Sequence, residues 1–166
     1  MMPKPIPRMH RGILYRSTLE ACWAEFFHQL GAKFDVEPTA YELPSGPYLP
    51  DLLIQQPWPE PSMWVEIKPI EPHYDGQVVK KIKELAKATE IPAMLVIGQP
   101  QLEAKFNRFW CWNSEGEKHE VVIMAEPLFY VVNSDSHLEF MLENNKDRIY
   151  RAAFEARRAV RWSPEK

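Results

Sequence analysis

Three acidic residues and a lysine stand at spacings that could hold a hard cation. Asp51 follows Pro50 in the apolar run Tyr48-Leu49-Pro50-Asp51-Leu52-Leu53-Ile54, and Glu66 and Lys68 flank Ile67 in Met63-Trp64-Val65-Glu66-Ile67-Lys68-Pro69. Both runs read as strands, whose side chains alternate between faces. Met63, Val65 and Ile67 therefore share one face, and Trp64, Glu66 and Lys68 the other. Between the runs, Pro57, Pro59 and Pro61 fix φ and cannot continue a ladder, so 56–62 reads as the connection. Folding back antiparallel about Pro59 sets Asp51 opposite Ile67, within one residue of Glu66 and Lys68. A bulge near Pro50, which lacks an N–H, would decide which face Asp51 takes. Carboxylate oxygens are what Mg²⁺ takes as ligands, and a lysine beside them can position or activate a water. Taken singly, Glu-x-Lys on a strand is a solvated charge pair and Pro-Asp is ordinary turn chemistry.

Upstream, Arg16-Ser17-Thr18-Leu19-Glu20 opens a helical pattern in which Leu19, Trp23, Phe26, Phe27 and Leu30 recur at helical spacing, and Gly31 closes it. Ser17 and Glu20 form a capping box, with Ser17 at the N-cap and Glu20 three residues on. The same Glu20 sits one turn before the apolar face and could lean toward the sheet that this face covers, so cap and site residue are compatible roles.

Glu20, Pro50-Asp51 and Glu66-Ile67-Lys68, in that order, resemble the PD-(D/E)xK nuclease superfamily, the restriction-endonuclease-like fold. Archaeal Holliday-junction resolvases and the endonuclease subunit of some transposition systems share this order of acids. The likeness covers residues 14–98. Some relatives carry a glutamine in the helix after the lysine strand and a tyrosine one turn later; Gln77 occupies the first position, and Lys81 stands where the tyrosine would be. The resemblance implies an α/β domain with a mixed central sheet flanked by helices, an αβββαβ core followed by a C-terminal hairpin and helix. It also implies a Mg²⁺- or Mn²⁺-dependent endonuclease acting on DNA. Asp51, Glu66 and the backbone carbonyl of Ile67 would hold the ion, Glu20 would reach it through water or help with a second, and Lys68 would orient the attacking water. Two other readings remain open. One is a non-catalytic nucleic-acid-binding or assembly protein of the same fold, partnering a transposase or phage protein; the other is an interaction domain whose acids are caps and surface pairs.

The remaining sequence bounds these readings. A chain of 166 residues with 45% hydrophobic content can bury one core without disulfides or structural zinc, so 1–166 reads as a single domain. Cys22 and Cys111 lie in no Cys-x-x-Cys or Cys/His cluster and read as packing residues in a reducing compartment. The N-terminus holds Lys4, Arg8 and Arg11 among prolines and lacks the apolar core of a signal peptide, so 1–13 reads as a flexible arm on a cytoplasmic protein, in the host cytoplasm if phage-encoded. A net charge of −3 argues against indiscriminate nucleic-acid binding. Contacts to phosphate would come from local basic surface: Lys80 and Lys81 in the helix after the lysine strand, and Arg148, Arg151 and Arg158 in a helix over 145–162. Strands are expected at 34–37 and 40–43 as a first hairpin or bent strand, at 92–98 as a buried central strand, at 107–112 and 119–124 as a second hairpin, and at 128–132. A helix is expected over 77–89. Phe106, Phe109, Trp110 and Trp112 leave one side of the second hairpin partly exposed, a surface suited to stacking on unpaired bases or to covering the sheet edge. The sequence leaves open whether the protein acts as a homodimer.

Overall fold

A computed structural model describes residues 4–56, 60–69, 76–133 and 137–162. The chain opens with β1 (Arg8–His10) and β2 (Ile13–Tyr15), then α1 (Thr18–Gln29), β3 (Lys33–Val36), β4 (Tyr41–Leu43), β5 (Gly46–Tyr48), β6 (Leu52–Gln55) and β7 (Met63–Lys68). It continues with α2 (Gln77–Thr89), β8 (Ala93–Ile97), a 3-10 turn (Ala104–Phe106), β9 (Arg108–Trp112), β10 (Lys118–Ile123), β11 (Phe129–Val131) and α3 (His137–Ala159). Seven strands form one mixed sheet in the order β11-β10-β9-β8-β7-β6-β3. Only β7 and β8 pair in parallel, with α2 as their crossover.

Alternation sorts the core into two layers. Met63, Val65 and Ile67 of β7 join Leu52, Ile54, Met94, Val96, Phe109, Cys111, Val121 and Ile123 on the face covered by α1 and α3. Trp64, Ala93, Leu95 and Trp112 pack on the other face beneath Ile82, Leu85 and Ala86 of α2 and Leu43 of the β4–β5 hairpin. α1 runs where its pattern places it. Ser17 caps it by accepting the Glu20 N–H at 3.1 Å, and Gly31 at φ 76° turns the chain out.

Four expectations need correction. Strands β3 and β4 do not pair: β3 lies against β6 and β4 against β5. The cause is the break at Glu37, held at φ 45°, followed by Pro38, which turns the chain off the sheet edge. The run beginning at Tyr48 is not one strand, because β5 ends at Tyr48 and β6 begins at Leu52. Residues 8–13 are not arm; with Leu14 and Tyr15 they form a hairpin turned by Arg11 and Gly12 at φ 49° and 78°, the two positive values of a tight two-residue hairpin turn. Finally, α3 starts at His137, eight residues before 145. Asn145 looked like a helix start, but its buried amide is used inside the helix: Oδ1 accepts the Ala125 and Glu126 N–H groups and Nδ2 donates to Met141. The connection at 57–59 lies outside the described residues.

Candidate active site

The pairing of β6 with β7 fixes the site. Leu52 stands opposite Val65, Leu53 opposite Trp64 and Ile54 opposite Met63. Continued one step, this register sets Asp51 against Glu66, and Pro50 against Ile67. The expected register was off by one residue, and no bulge is needed: partners directly opposite share a face, so Asp51 falls on the face of Glu66 and Lys68. The ladder ends at Leu52 and Val65. Trp64 donates to Pro92 and Gly98 donates to Lys68, so even-numbered residues of β7 bond β8 and the Ile67 peptide turns toward β6. Pro50 has no N–H to give the Ile67 carbonyl. The Ile67 N–H is taken instead by Asp51 Oδ2 at 2.8 Å.

Glu20 reaches the same place from the first turn of α1. It is 8% exposed, and its carboxylate accepts the Ser17 hydroxyl at 3.0 Å. Trp23 ties this end of α1 to the end of β8 by donating to the Gly98 carbonyl at 2.7 Å. The Lys68 ammonium lies 2.9 Å from Glu66 Oε1.

Electrostatics shows how close the set is. Burial pushes the Asp51 carboxyl well above its ordinary range, and the charges of Glu66 and Glu20 push it further, against the pull of the Ile67 N–H and Lys68. Glu20 is raised first by burial, with Glu37 and Glu66 adding to it. Burial works to lower Lys68, yet Glu66, Asp51 and Glu20 more than offset it, so the ammonium is held charged. Glu20, Asp51, Glu66 and Lys68 therefore act on one another as one charged cluster at the C-terminal end of β7.

The chain matches no family model, no curated protein and no solved structure.

Three further residues belong to this cluster. The Arg16 guanidinium donates to Asp51 Oδ1 at 2.7 Å and to the Leu49 carbonyl at 3.3 Å, and pairs with Glu37. Its charge is supported by Asp51, Glu20, Glu37 and Glu66 against the burial that would lower it. The Tyr48 hydroxyl donates to Glu66, and its own pKa is raised by burial and by that carboxylate. Arg16 stood in plain view as the residue before the capping box. Tyr48 and Glu37 could not be read, because their places depend on the β4–β5 hairpin folding over β6 and β7.

The basic residues divide by position. Lys80 and Lys81 lie on the first turns of α2, whose start follows the site strand, and both face Glu84 electrostatically. Arg148 lies away from the site, lining a hollow with Leu30 and Gly31 at the opposite end of α1 and facing Glu126 at 3.9 Å. Arg158 pairs with Glu155 on its own helix, and Arg151 is exposed. Arg157, by contrast, donates to the Pro100 carbonyl near the site end of β8. Burial raises the thiols of Cys22 to about 12 and Cys111 to about 11, so both are packing groups. Among the described residues no helix is long and apolar enough to cross a membrane.

Proposed function

We propose that the protein is a nuclease that uses Mg²⁺ or Mn²⁺ to hydrolyse phosphodiester bonds in DNA. One observation carries this: four carboxylates, of Glu20, Glu37, Asp51 and Glu66, share two cations, Arg16 and Lys68, in one cluster in which Glu20, Asp51 and Glu66 are buried. When all are ionised an excess of two negative charges remains, which suits a divalent ion. The donors are hard oxygens, and the Ile67 carbonyl, just past the last β6–β7 pair, would add another. The sheet order also supports the resemblance to the restriction-endonuclease-like core, since α1, β3, β6, β7, α2 and β8 follow one another around the β4–β5 insertion.

A divalent ion held by Asp51, Glu66 and Ile67 would polarise the scissile phosphate and lower the pKa of a bound water. Lys68 holds its ammonium beside Glu66, where it can orient the attacking water and stabilise charge developing on phosphate oxygen. Glu20 sits behind, held by Ser17, and would act through water. Arg16, half exposed, fixes Asp51 while leaving guanidinium N–H groups toward solvent.

A second reading rests on its own observation. Among the described residues no three Asp, Glu, His or Cys side chains are placed to close on an ion. Arg16, Tyr48 and Lys68 hold Asp51 and Glu66 instead, as they would in a non-catalytic nucleic-acid-binding or assembly protein of this fold. Thermal melting with Mn²⁺ or non-activating Ca²⁺ separates the two. A real site raises the melting temperature by mass action, and Asp51→Asn or Glu66→Gln abolishes that rise. Lys68→Ala keeps the rise and loses cleavage of supercoiled and single-stranded DNA. No metal-dependent shift in the unsubstituted protein decides for the non-catalytic reading.

A further inference from the structure

The site face of the sheet does not end at the site. Glu66 pairs with Leu95, Leu95 with Trp110 and Trp110 with Glu120, so one row of a single face passes from Glu66 through buried Leu95 to an exposed tryptophan. Two strand spacings separate Glu66 from Trp110, about 10 Å. Over β6 and β7 this face is covered by the β4–β5 hairpin, and over β8 by α2, which buries Leu95 and also packs with Trp112 of β9. Beyond that, Trp110 is 45% exposed, with Arg108 in the row of Lys68 and Tyr130 on the same face across Val122.

An isolated surface tryptophan would mean little. This one is dressed with cations. The Lys118 ammonium stands 4.1 Å from the Trp110 ring centroid and 5.9 Å from that of Trp112. Lys83 of α2 reaches the β9–β10 turn at Gly116, and Arg108 pairs with Glu120 beside the ring.

We propose that the exposed patch around Trp110 binds a single strand of nucleic acid, with a base stacked on the ring. The inference goes beyond the nuclease reading and stands apart from it. Only an unpaired base can offer its π-face to a side chain, because bases within a duplex are already stacked. Lys118 now occupies the place over the ring that a base would take; displaced, its ammonium is in reach of the adjoining phosphate.

The test is fluorescence anisotropy with labelled oligothymidine and a duplex of equal length, in EDTA so that nothing is cut. Trp110→Ala should weaken oligothymidine binding on the order of tenfold, leave duplex affinity within about twofold, and be rescued by Trp110→Phe. Trp110→Leu, which keeps an apolar side chain on the strand, should behave as Trp110→Ala, so a folding defect in the alanine variant does not shield the proposal. Unchanged oligothymidine affinity in Trp110→Leu, or equal loss on duplex and single strand, overturns it. So does the absence of any oligothymidine binding, which would leave the face to a protein partner. Trp110-dependent binding without cleavage in any metal would keep this inference and sink the nuclease reading. Asp51-dependent cleavage with Trp110-independent binding would do the reverse.

Discussion

Two buried carboxylates, Glu25 and Asp51, sit 2% and 3% exposed, and their surroundings treat them in opposite ways. Glu25 lies on α1 beneath the N-terminal hairpin. It accepts from Arg11 Nε at 2.6 Å, Arg11 Nη2 at 2.9 Å and Gln29 Nε2 at 2.8 Å, and lies 2.7 Å from His10 Nε2. Burial alone would raise its pKa, but the bonds from Arg11, His10 and Gln29 hold it at about 2. Asp51 also has partners, yet Glu66 and Glu20 add to its burial and its carboxyl is raised. A fold can satisfy a buried acid, as Glu25 shows. That it crowds acids together at Asp51 instead is what a site kept for a cation would do.

The largest expected difference is in cleavage. Asp51→Asn should reduce Mg²⁺-dependent hydrolysis by more than about a hundredfold, since loss of an outer-shell partner alone costs 10–100-fold at metal sites. Glu25→Gln should retain the rate of the unsubstituted protein at temperatures where it is folded. Equal losses in both variants, assayed at 20 °C on supercoiled plasmid, would show that the crowding at Asp51 has no special part in the chemistry.

Stability should move in opposite directions. Glu25→Gln leaves the donors of the N-terminal hairpin facing a neutral amide, and melting should fall by about 5 °C, corresponding to about 2 kcal/mol. Asp51→Asn removes a repelled charge while keeping an oxygen for the Ile67 N–H, so the metal-free protein should melt higher. Calorimetry at pH 7 in EDTA decides the signs, and a drop in both would remove the distinction drawn here.

The pH dependence follows from the same shifts. The Glu25 pKa is depressed from 4.5 to about 2, so its stabilisation is present above 4.5 and is lost as pH falls toward 2. The Asp51 pKa is raised from 3.8, so the folded state favours its protonated form, and stability drains away as pH rises through the raised value. Relative to the unsubstituted protein, the deficit of Glu25→Gln should shrink below pH 4.5, and the gain of Asp51→Asn should grow above pH 4. Melting curves at half-unit intervals from pH 3 to 8 test both slopes.

Much of this contrast was hidden from the sequence. Strands β7 to β11 and the helices α1 and α2 were legible because apolar spacing alone specifies them, and alternation placed Glu66 and Lys68 on one face without any tertiary knowledge. Asp51 was found by type and neighbourhood, but its register was misplaced by one residue, since turn length at a proline-rich connection does not fix pairing. Arg16, Tyr48 and Glu37 depend on contacts between elements distant in sequence. Glu25 gave no signal at all: an acid amid Trp23, Phe26 and Phe27 conflicts with the apolar pattern, and only the hairpin at residues 8–15, which falls largely within the expected 1–13 arm, explains it.

The finest test compares the arginine serving each acid. Arg11 holds Glu25 and Arg16 holds Asp51, with side chains 51% and 47% exposed, so solvent screens both and neither substitution should shift melting by more than a few degrees. Their responses to metal should still differ. Arg11→Gln loosens a carboxylate that has other donors and no acidic neighbour to relieve, so Mg²⁺ should stabilise this variant no more than it does the unsubstituted protein. Arg16→Gln takes one of two cations from four carboxylates and raises the excess from two negative charges to three. That variant should melt lower in EDTA and gain more from Mg²⁺, with the ion supplying attraction the guanidinium no longer gives. An equal gain from Mg²⁺ in both variants would mean that Arg16 and a metal do not answer to the same charges, and the cluster would then be an ion-pair network closed by its own side chains.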